Sequence, residues 1–460
     1  MAKQLIILGG GPGGYVAAIR AAQLGAQVTV VEKDTLGGTC LNRGCIPTKA
    51  LAASAEYLAK LKHADEFGIK LEGYSINLAQ MLERKNKVVA KLVSGIHLLF
   101  KKHKIQLITG AGRLISPTLV EIAKADGSKQ TITGDAIILA TGSEPATIAA
   151  LGYDGEKVYS SNEALQLKEI PQRLLIIGGG VIGCEFACIF HELGAQVTIV
   201  EVLPSILPLQ DQDVTRLMQS LFKRRGIDIK TKAQVREVHK TEEQVVVVVL
   251  ENGEELTADQ VLISIGRRLN TQNLGLAEAG IKLGERGEVL VNEQLQTNLP
   301  HIYAIGDITN KIQLAHVASF QGIVAVEHIM GKPSLINYGV IPNCVYTIPE
   351  VAGVGITTQA AKEQGLEVAT AKFPFIANGK AMAMGEAEGF VKMLAEPQTG
   401  KILGVHIVGP RATDLIAEAA LAMEQGLTVE QLAGTVHAHP TLAEALMEAA
   451  EAITGKAINI

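Results

Sequence analysis

The sequence predicts an α/β chain with two Rossmann-like dinucleotide-binding domains and a third, α+β domain at the C-terminus. Two stretches carry the first part of that expectation: "LIILGGGPGGYVAAIRAAQLGAQVTVVE" near the N-terminus and "LLIIGGGVIGCEFACIFHELGAQVTIVE" from Leu174 onward. Each reads as an apolar strand, a glycine turn, an apolar helix and a second strand ending in glutamate. The third observation is a change of pattern. Beyond about residue 340 the fingerprint is missing, while "KILGVHIVG", "DLIAEAALAMEQG" and "TLAEALMEAAEAI" read as a strand packed with helices. The expected segments are 1–144, 145–265, 266–338 and 339–460, the third completing the first domain.

In the first unit Gly9, Gly11 and Gly14 let a pyrophosphate approach the backbone at a helix N-terminus, and Glu32 accepts hydrogen bonds from a ribose diol. Gly178, Gly180, Gly183 and Glu201 repeat the set, each displaced by 169 residues. A lone GxGxxG is weak evidence, because glycine turns also close ordinary strand-to-helix junctions. Two in register, each with its own strand, helix and acid, predict two dinucleotide sites. A 2′-phosphate would face the Glu201 carboxylate, and the following Val202, Leu203 and Pro204 supply no cation, so NAD is expected at the second site. Two further strands, "DAIILATGS" at 135–143 and "HIYAIGDI" at 301–308, end in glycine turns and deliver polar groups at their carboxyl ends.

"GGTCLNRGCIPTKAL", residues 37–51, sets Cys40 and Cys45 five positions apart in a chain with five cysteines. The odd number argues against a structural disulfide framework, and a connection this short gains little as a staple. Incidental thiols or a metal half-site would give the same spacing. A dinucleotide site beside the pair favours redox chemistry, since a bound flavin and a dithiol each carry two electrons. Arg43 and Lys49 are expected to favour thiolate over thiol and to bring the pair below the ordinary cysteine pKa. Cys184 and Cys188, four apart on a helix, read as core residues, and Cys344 as buried and inert.

Dithiol oxidation needs a base, and "HAHPTLAEA" at 437–445 supplies candidates. Pro440 suits a first helical turn, which would put His439 at the N-cap, where the dipole disfavours imidazolium. Glu444, folding back from the same helix, would fix the imidazole tautomer and support its charged form. A histidine beside a helix start is more often a packing or capping residue, so the spacing alone decides nothing.

Composition closes several alternatives. The balance of 42 Lys and Arg against 47 Asp and Glu, a net charge of −5, and aromatics at 4% without tryptophan exclude nucleic acid as the main partner. The lysines at 101–104 read as a solvated face. No stretch of about 18 uninterrupted apolar residues is present, and "MAKQLIILGG" lacks signal-peptide order. A cytoplasmic bacterial protein is expected; a processed organellar form would read the same.

The motifs "GGGPGG", "GGTCLNRGCIPTKAL", "ATGS", "GGGVIGCEFA", "IGRRLNT", "YAIGDI" and "HAHPTLAE" occur in an order and spacing that closely resembles the pyridine nucleotide disulfide oxidoreductases, over nearly the whole chain. Within that family the resemblance is to the branch that oxidises protein-bound dihydrolipoamide for the 2-oxo acid dehydrogenase complexes. It implies FAD at the first site, NAD at the second, no metal, and a homodimer in which the C-terminal domain of one subunit completes the other's active site. Cys40 would exchange with the substrate, Cys45 face the flavin, His439 act as acid/base with Glu444 as its partner, and Lys49 pair with Glu185. The implied FAD contacts are Gly9, Gly11, Gly14, Glu32, Lys33, Gly38, Thr39, Lys49, Gly112, Thr141, Gly142, Ser143, Asp307 and Ala315, with Asp307 on the ribityl chain. Those for NAD are Gly178, Gly180, Val181, Ile182, Gly183, Glu201, Val235 and Gly266. The implied partners are lipoyl domains of acyltransferase subunits or of the glycine cleavage carrier protein.

Three positions depart from the commonest family pattern: Arg43, Leu269 and Gln321. The last leaves His316 without an assigned role. A glutathione-type reductase would carry arginines where Glu201 stands, and a mercuric reductase a C-terminal cysteine pair that "EAITGKAINI" lacks. A mainly structural subunit of a multienzyme complex is the rival from outside catalysis.

Overall fold

The protein is described by a computed structural model covering residues 2–241, 245–332 and 334–460. The chain forms two compact units, one made of residues 1–51, 79–146 and 266–336, the other of 52–78, 147–265 and 337–460.

The first unit holds a five-stranded parallel sheet in the order Ile302–Ala304, Ala136–Leu139, Gln4–Leu8, Gln27–Glu32 and Gln106–Thr109. Its central strands are apolar along their length because both faces are covered: Leu5, Ile7, Val28, Val30 and Ile138 face helices, while Ile6, Leu8, Ile137 and Leu139 pack with the strand residues Leu114, Val120 and Ile122; every residue of Ala136–Leu139 is buried. On one face Pro12–Gln23 packs against Ala315–Ile329. Glycines allow the approach: a Cβ on Gly13 would stand 3.1 Å from the Ala318 carbonyl oxygen, and one on Gly322 2.7 Å from that of Gly13.

The second unit repeats the sheet with the order Asp228–Thr231, Gln196–Glu201, Arg173–Ile177, Gln260–Ile263 and Val158–Tyr159, all parallel. The register repeats too. Leu5 pairs with Val28 and Ala136, and Leu174 with Val197 and Gln260. Each copy also has a three-stranded antiparallel meander, Ala111–Thr133 in the first and Val235–Ala258 in the second. The connection into the meander differs. It runs from Glu32 to Ala111 in one copy and only from Glu201 to Val235 in the other. The longer connection contains the helices Gly38–Arg43, Cys45–Leu61 and Leu78–Lys102. Cys40 and Cys45 therefore sit on an elaboration of the first copy that the second lacks.

The C-terminal part of the second unit is a five-stranded antiparallel sheet, Asn343–Val345, Glu350–Gly355, Ile402–Gly409, Phe390–Ala395 and Ala369–Pro374. Ala412–Glu424 and Glu444–Ile453 pack on it, over a core that includes Phe373, Val391, Met393, Ile407 and Leu446. Among the described residues no helix is long and apolar enough to cross a membrane.

Candidate active site

The two glycine fingerprints have nearly the same geometry. Gly9 and Gly178 hold φ of 105° and 107°, a region open to glycine and strained for other residues. A Cβ on Gly14 would lie 1.9 Å from the Gly9 carbonyl oxygen, and one on Gly183 2.0 Å from that of Gly178. Gly11 and Gly180 are N-caps without a side-chain cap hydrogen bond, so the first-turn amides next to them face outward toward an acceptor. Val181 and Ile182 form the first turn at the second site. Glu32 is buried, its two carboxylate oxygens accepting the Gly10 amide at 2.7 Å and the Asp34 amide at 2.8 Å. Glu201 does the same with Gly179 at 2.6 Å and Leu203 at 2.8 Å. A Cβ on Gly142, Gly180 or Gly266 would meet nothing within 4 Å, which leaves open backbone next to both fingerprints. Outward helix amides, open backbone and a fixed carboxylate fit a pyrophosphate and a ribose diol.

Around the first fingerprint the sheet's carboxyl edge brings together three stretches far apart in sequence. Thr141 and Asn270 exchange side-chain-to-backbone hydrogen bonds of 2.8 and 3.0 Å, and the Asn270 amide donates to the Gly142 carbonyl. Arg267 donates from Nε to Ser143 Oγ at 2.7 Å and from Nη2 to the Ser143 carbonyl at 2.8 Å; the Ser143 hydroxyl in turn donates to Asp307 Oδ2. Arg267 Nε also lies 3.6 Å from Asp307 Oδ2, and burial pulls the guanidinium below its ordinary pKa despite the Asp307 and Glu144 charges. Gln321, fully buried, accepts the Gly306 amide at 2.6 Å and so fixes the turn that carries Asp307. Ala315 is the first residue of its helix, Lys33 is exposed beyond Glu32, and Gly112 lies in the first meander with Leu8 and Val31 side chains against it. Val235 opens the second meander.

Cys40 and Cys45 are joined by a disulfide, with Cα atoms 4.7 Å apart. The short connection between them is not a simple loop. Gly38–Arg43 is a helix, and Cys45 begins the next one. Gly44 makes the junction possible, because a Cβ there would stand 3.1 Å from the Thr39 carbonyl and 3.3 Å from Cys40 Cα. The pair is tied to the first fingerprint: a Cβ on Gly38 would come within 2.6 Å of Gly11 Cα, and Thr39 Oγ1 donates to the Ser143 carbonyl at 3.4 Å. Arg43 is paired with Asp34 at the surface, so its charge is engaged by that carboxylate. Lys49 lies one turn along the helix from Cys45, partly buried.

His439 departs from the expected N-cap. The helix begins at Glu444 and Ala443 occupies the cap position; Pro440 and His439 precede it in irregular chain. The cause is Glu444 itself, whose Oε2 accepts the Thr441 amide at 2.8 Å and draws the segment back over the helix start. Glu444 Oε1 lies 2.9 Å from His439 Nδ1, and the imidazole is 78% exposed. Burial alone would raise the Glu444 pKa, but the Thr441 amide and the His439 ring hold it below the ordinary carboxylate value.

Glu185, buried on Val181–Glu192, accepts the Tyr346 backbone amide at 3.0 Å. Cys184 and Cys188 are buried free thiols whose pKa burial raises, that of Cys188 to about 12, as core residues should be. Cys344 is half-buried rather than buried. Among the described residues no cluster of His, Cys, Asp or Glu is arranged to hold a metal. Arg267, Asn270 and Tyr346 were missed as individuals. The first two lie in "IGRRLNT" at 265–271, a motif recognised in the sequence without roles for its members; just before it Ser264 backs Gly178 as Ala140 backs Gly9.

The model of the pyridine nucleotide-disulphide oxidoreductase family matches residues 3–322, and that of the family's dimerisation domain matches 341–450. The chain belongs to this family. A dihydrolipoyl dehydrogenase from Chlamydia trachomatis is 47% identical over 447 residues, covering 97% of this chain and 95% of the relative. One from Bacillus subtilis is 45% identical over 99% of this chain and 98% of its own. Among solved structures, LpdA from Mycobacterium tuberculosis superposes with a TM-score of 0.93 at 32% identity, covering 98% of this chain and 100% of that one. The HOCl-induced flavoprotein disulfide reductase RclA from Escherichia coli gives 0.89 at 28%, covering 98% and 99%. For this oxidoreductase, membership implies a flavin and NAD(H) and places a dimerisation domain in its C-terminal part.

Proposed function

We infer that this oxidoreductase works as a dihydrolipoyl dehydrogenase, oxidising protein-bound dihydrolipoamide to lipoamide and passing the electrons to NAD+. The observation that carries the reading is the Cys40–Cys45 disulfide anchored against the first dinucleotide fingerprint through Gly38 and Thr39. FAD would be held there, tightly and without a covalent bond, by Gly9, Gly11, Gly14, Glu32, Ser143 and Asp307. NAD+ would be held by Gly178, Gly180, Gly183 and Glu201, whose carboxylate repels a 2′-phosphate. When bound, the flavin accepts two electrons from the dithiol and the nicotinamide takes them up as hydride.

The chain's own residues carry the sulfur chemistry. His439 takes a proton from one substrate thiol, and the resulting thiolate attacks Cys40 Sγ. The Cys40–Cys45 bond breaks, a substrate–Cys40 disulfide forms, and Cys45 leaves as a thiolate. The second substrate thiol attacks the first sulfur and its proton passes to the departing Cys40 sulfur; the substrate–Cys40 bond breaks, lipoamide departs and Cys40 is released as a thiol. Two electrons have then moved from substrate to the cysteine pair. Glu444 fixes the proton of His439 on Nδ1, leaving Nε2 to face the substrate. Lys49 favours Cys45 thiolate. The base comes from the C-terminal domain of a second copy in a homodimer, residues 1–144 and 266–338 form the FAD domain, and the setting is the bacterial cytoplasm.

The test is turnover by purified holoenzyme. Dihydrolipoamide with NAD+ should be oxidised, Cys45→Ala should abolish it, and glutathione disulfide with NADPH should be a poor pair. Efficient glutathione reduction with NADPH would refute the reading. Loss of complex assembly in Cys45→Ala with residual turnover would favour a structural subunit.

A further inference from the structure

The irregular segment carrying His439 is held by two side chains that no motif singled out. His437, its side chain only 6% exposed, places Nε2 2.7 Å from Glu418 Oε1 on the helix Ala412–Glu424 and Nδ1 2.8 Å from the Thr435 carbonyl. Both ring nitrogens face an oxygen, so a flipped ring would set carbons against them; the ring has one orientation. Four residues on, the Thr441 carbonyl accepts from Asn378 Nδ2 at 3.0 Å. Asn378 is 4% exposed and is itself fixed, since its Oδ1 accepts the Ala381 amide at 2.9 Å and caps the helix Gly379–Met384. His439 lies midway between these fastenings with its ring open to solvent, and the neighbouring Val436 is 96% exposed.

Proton transfer requires the base within hydrogen-bond reach of the thiol, and a displacement of about 1 Å can cost roughly 100-fold. Glu444 orients the ring of His439, but on irregular chain the position of the base depends on how the flanking backbone is held. We infer that Glu418 and Asn378 are positioning residues for His439, pinning residues 437 and 441 on either side of it so that the base is presented in one pose. Neither needs to touch the substrate. The inference rests on the assignment of His439 as the acid/base.

The experiment compares Glu418→Ala, Glu418→Gln and His439→Gln holoenzymes in two reactions: dihydrolipoamide oxidation by NAD+, and reduction of ferricyanide by NADH, which involves no substrate thiol. Glu418→Ala is expected to lower kcat for dihydrolipoamide roughly tenfold with little change in KM, and to leave ferricyanide reduction and Tm unchanged. Glu418→Gln keeps an oxygen opposite His437 and should recover most of the loss. Parental dihydrolipoamide turnover in Glu418→Ala, or parallel loss of both reactions with a lowered Tm, would overturn the inference. If His439→Gln is inactive with dihydrolipoamide while Glu418→Ala is normal, only the positioning role fails; if His439→Gln is fully active, the assignment of the base fails as well.

Discussion

Glu444 Oε1 lies 2.9 Å from His439 Nδ1 while its other oxygen holds the Thr441 amide at 2.8 Å, so one carboxylate both orients the imidazole and shapes the chain before its helix. Because the amide and the ring hold its pKa below the ordinary carboxylate value, Glu444 is ionised throughout the neutral range.

His439→Gln should therefore lower kcat for dihydrolipoamide oxidation by roughly 10²–10⁴-fold, the usual contribution of a positioned acid/base group. Glu444→Gln removes a charge-assisted hydrogen bond worth about 1.5–3 kcal/mol, so a loss of roughly 10–100-fold is expected. Steady-state assays with dihydrolipoamide and NAD+ check both. Equal activity of His439→Gln and parent would refute the assignment.

Arg267, Ser143 and Asp307 predict a defect visible without turnover. Asp307 Oδ2 takes the Ser143 hydroxyl and faces Arg267, which fixes the carboxylate that the proposed function assigns to the flavin. Arg267→Met and Ser143→Ala should each weaken FAD retention roughly tenfold, about 1.4 kcal/mol, measured by release of flavin fluorescence on dilution. Asp307→Asn should do the same. Unchanged retention in all three would show that the network serves packing alone.

The contrast between the fingerprints and this network shows what a sequence can carry. Gly9, Gly14 and Glu32 are legible because phosphate approach and helix packing demand fixed spacings within one strand–helix–strand unit. Cys40 and Cys45 are legible as a pair, but the short helix Gly38–Arg43 that carries Cys40 is not, since six residues capped by Gly37 and Gly44 offer no periodicity to read. His439 was misplaced because the preference of proline for a first helical turn was outweighed by the Glu444 carboxylate. Arg267, Gln321 and Tyr346 acquire their partners only through sheet order and domain packing, which no local pattern encodes.

A buried charge cluster makes a prediction about stability. Lys392 on the C-terminal sheet places Nζ 2.8 Å from Asp211 Oδ1 and 2.7 Å from Asp213 Oδ2, with the Lys392 and Asp211 side chains 3% and 0% exposed. Burial would raise the Asp211 pKa, yet Lys392 and the Thr358 and Asp213 amides bring it down to about 2. A depressed carboxylate contributes stability above its unfolded pKa and loses it as pH falls through the folded one. For Asp211 that contribution is about 2 kcal/mol, complete above about pH 5 and lost toward pH 2. Lys392→Met leaves a buried carboxylate uncompensated and should cost about 3–5 kcal/mol, read as a lower Tm at pH 7. A variant as stable as the parent from pH 3 to 7 would contradict this.

The most direct test of the whole account is an anaerobic absorption titration of the holoenzyme with dihydrolipoamide. A long-wavelength band between Cys45 thiolate and oxidised flavin is expected to grow in at about one substrate per subunit and to be absent in Cys45→Ser. Flavin bleaching without that band in the parent, or an unchanged response in Cys45→Ser, would contradict the account.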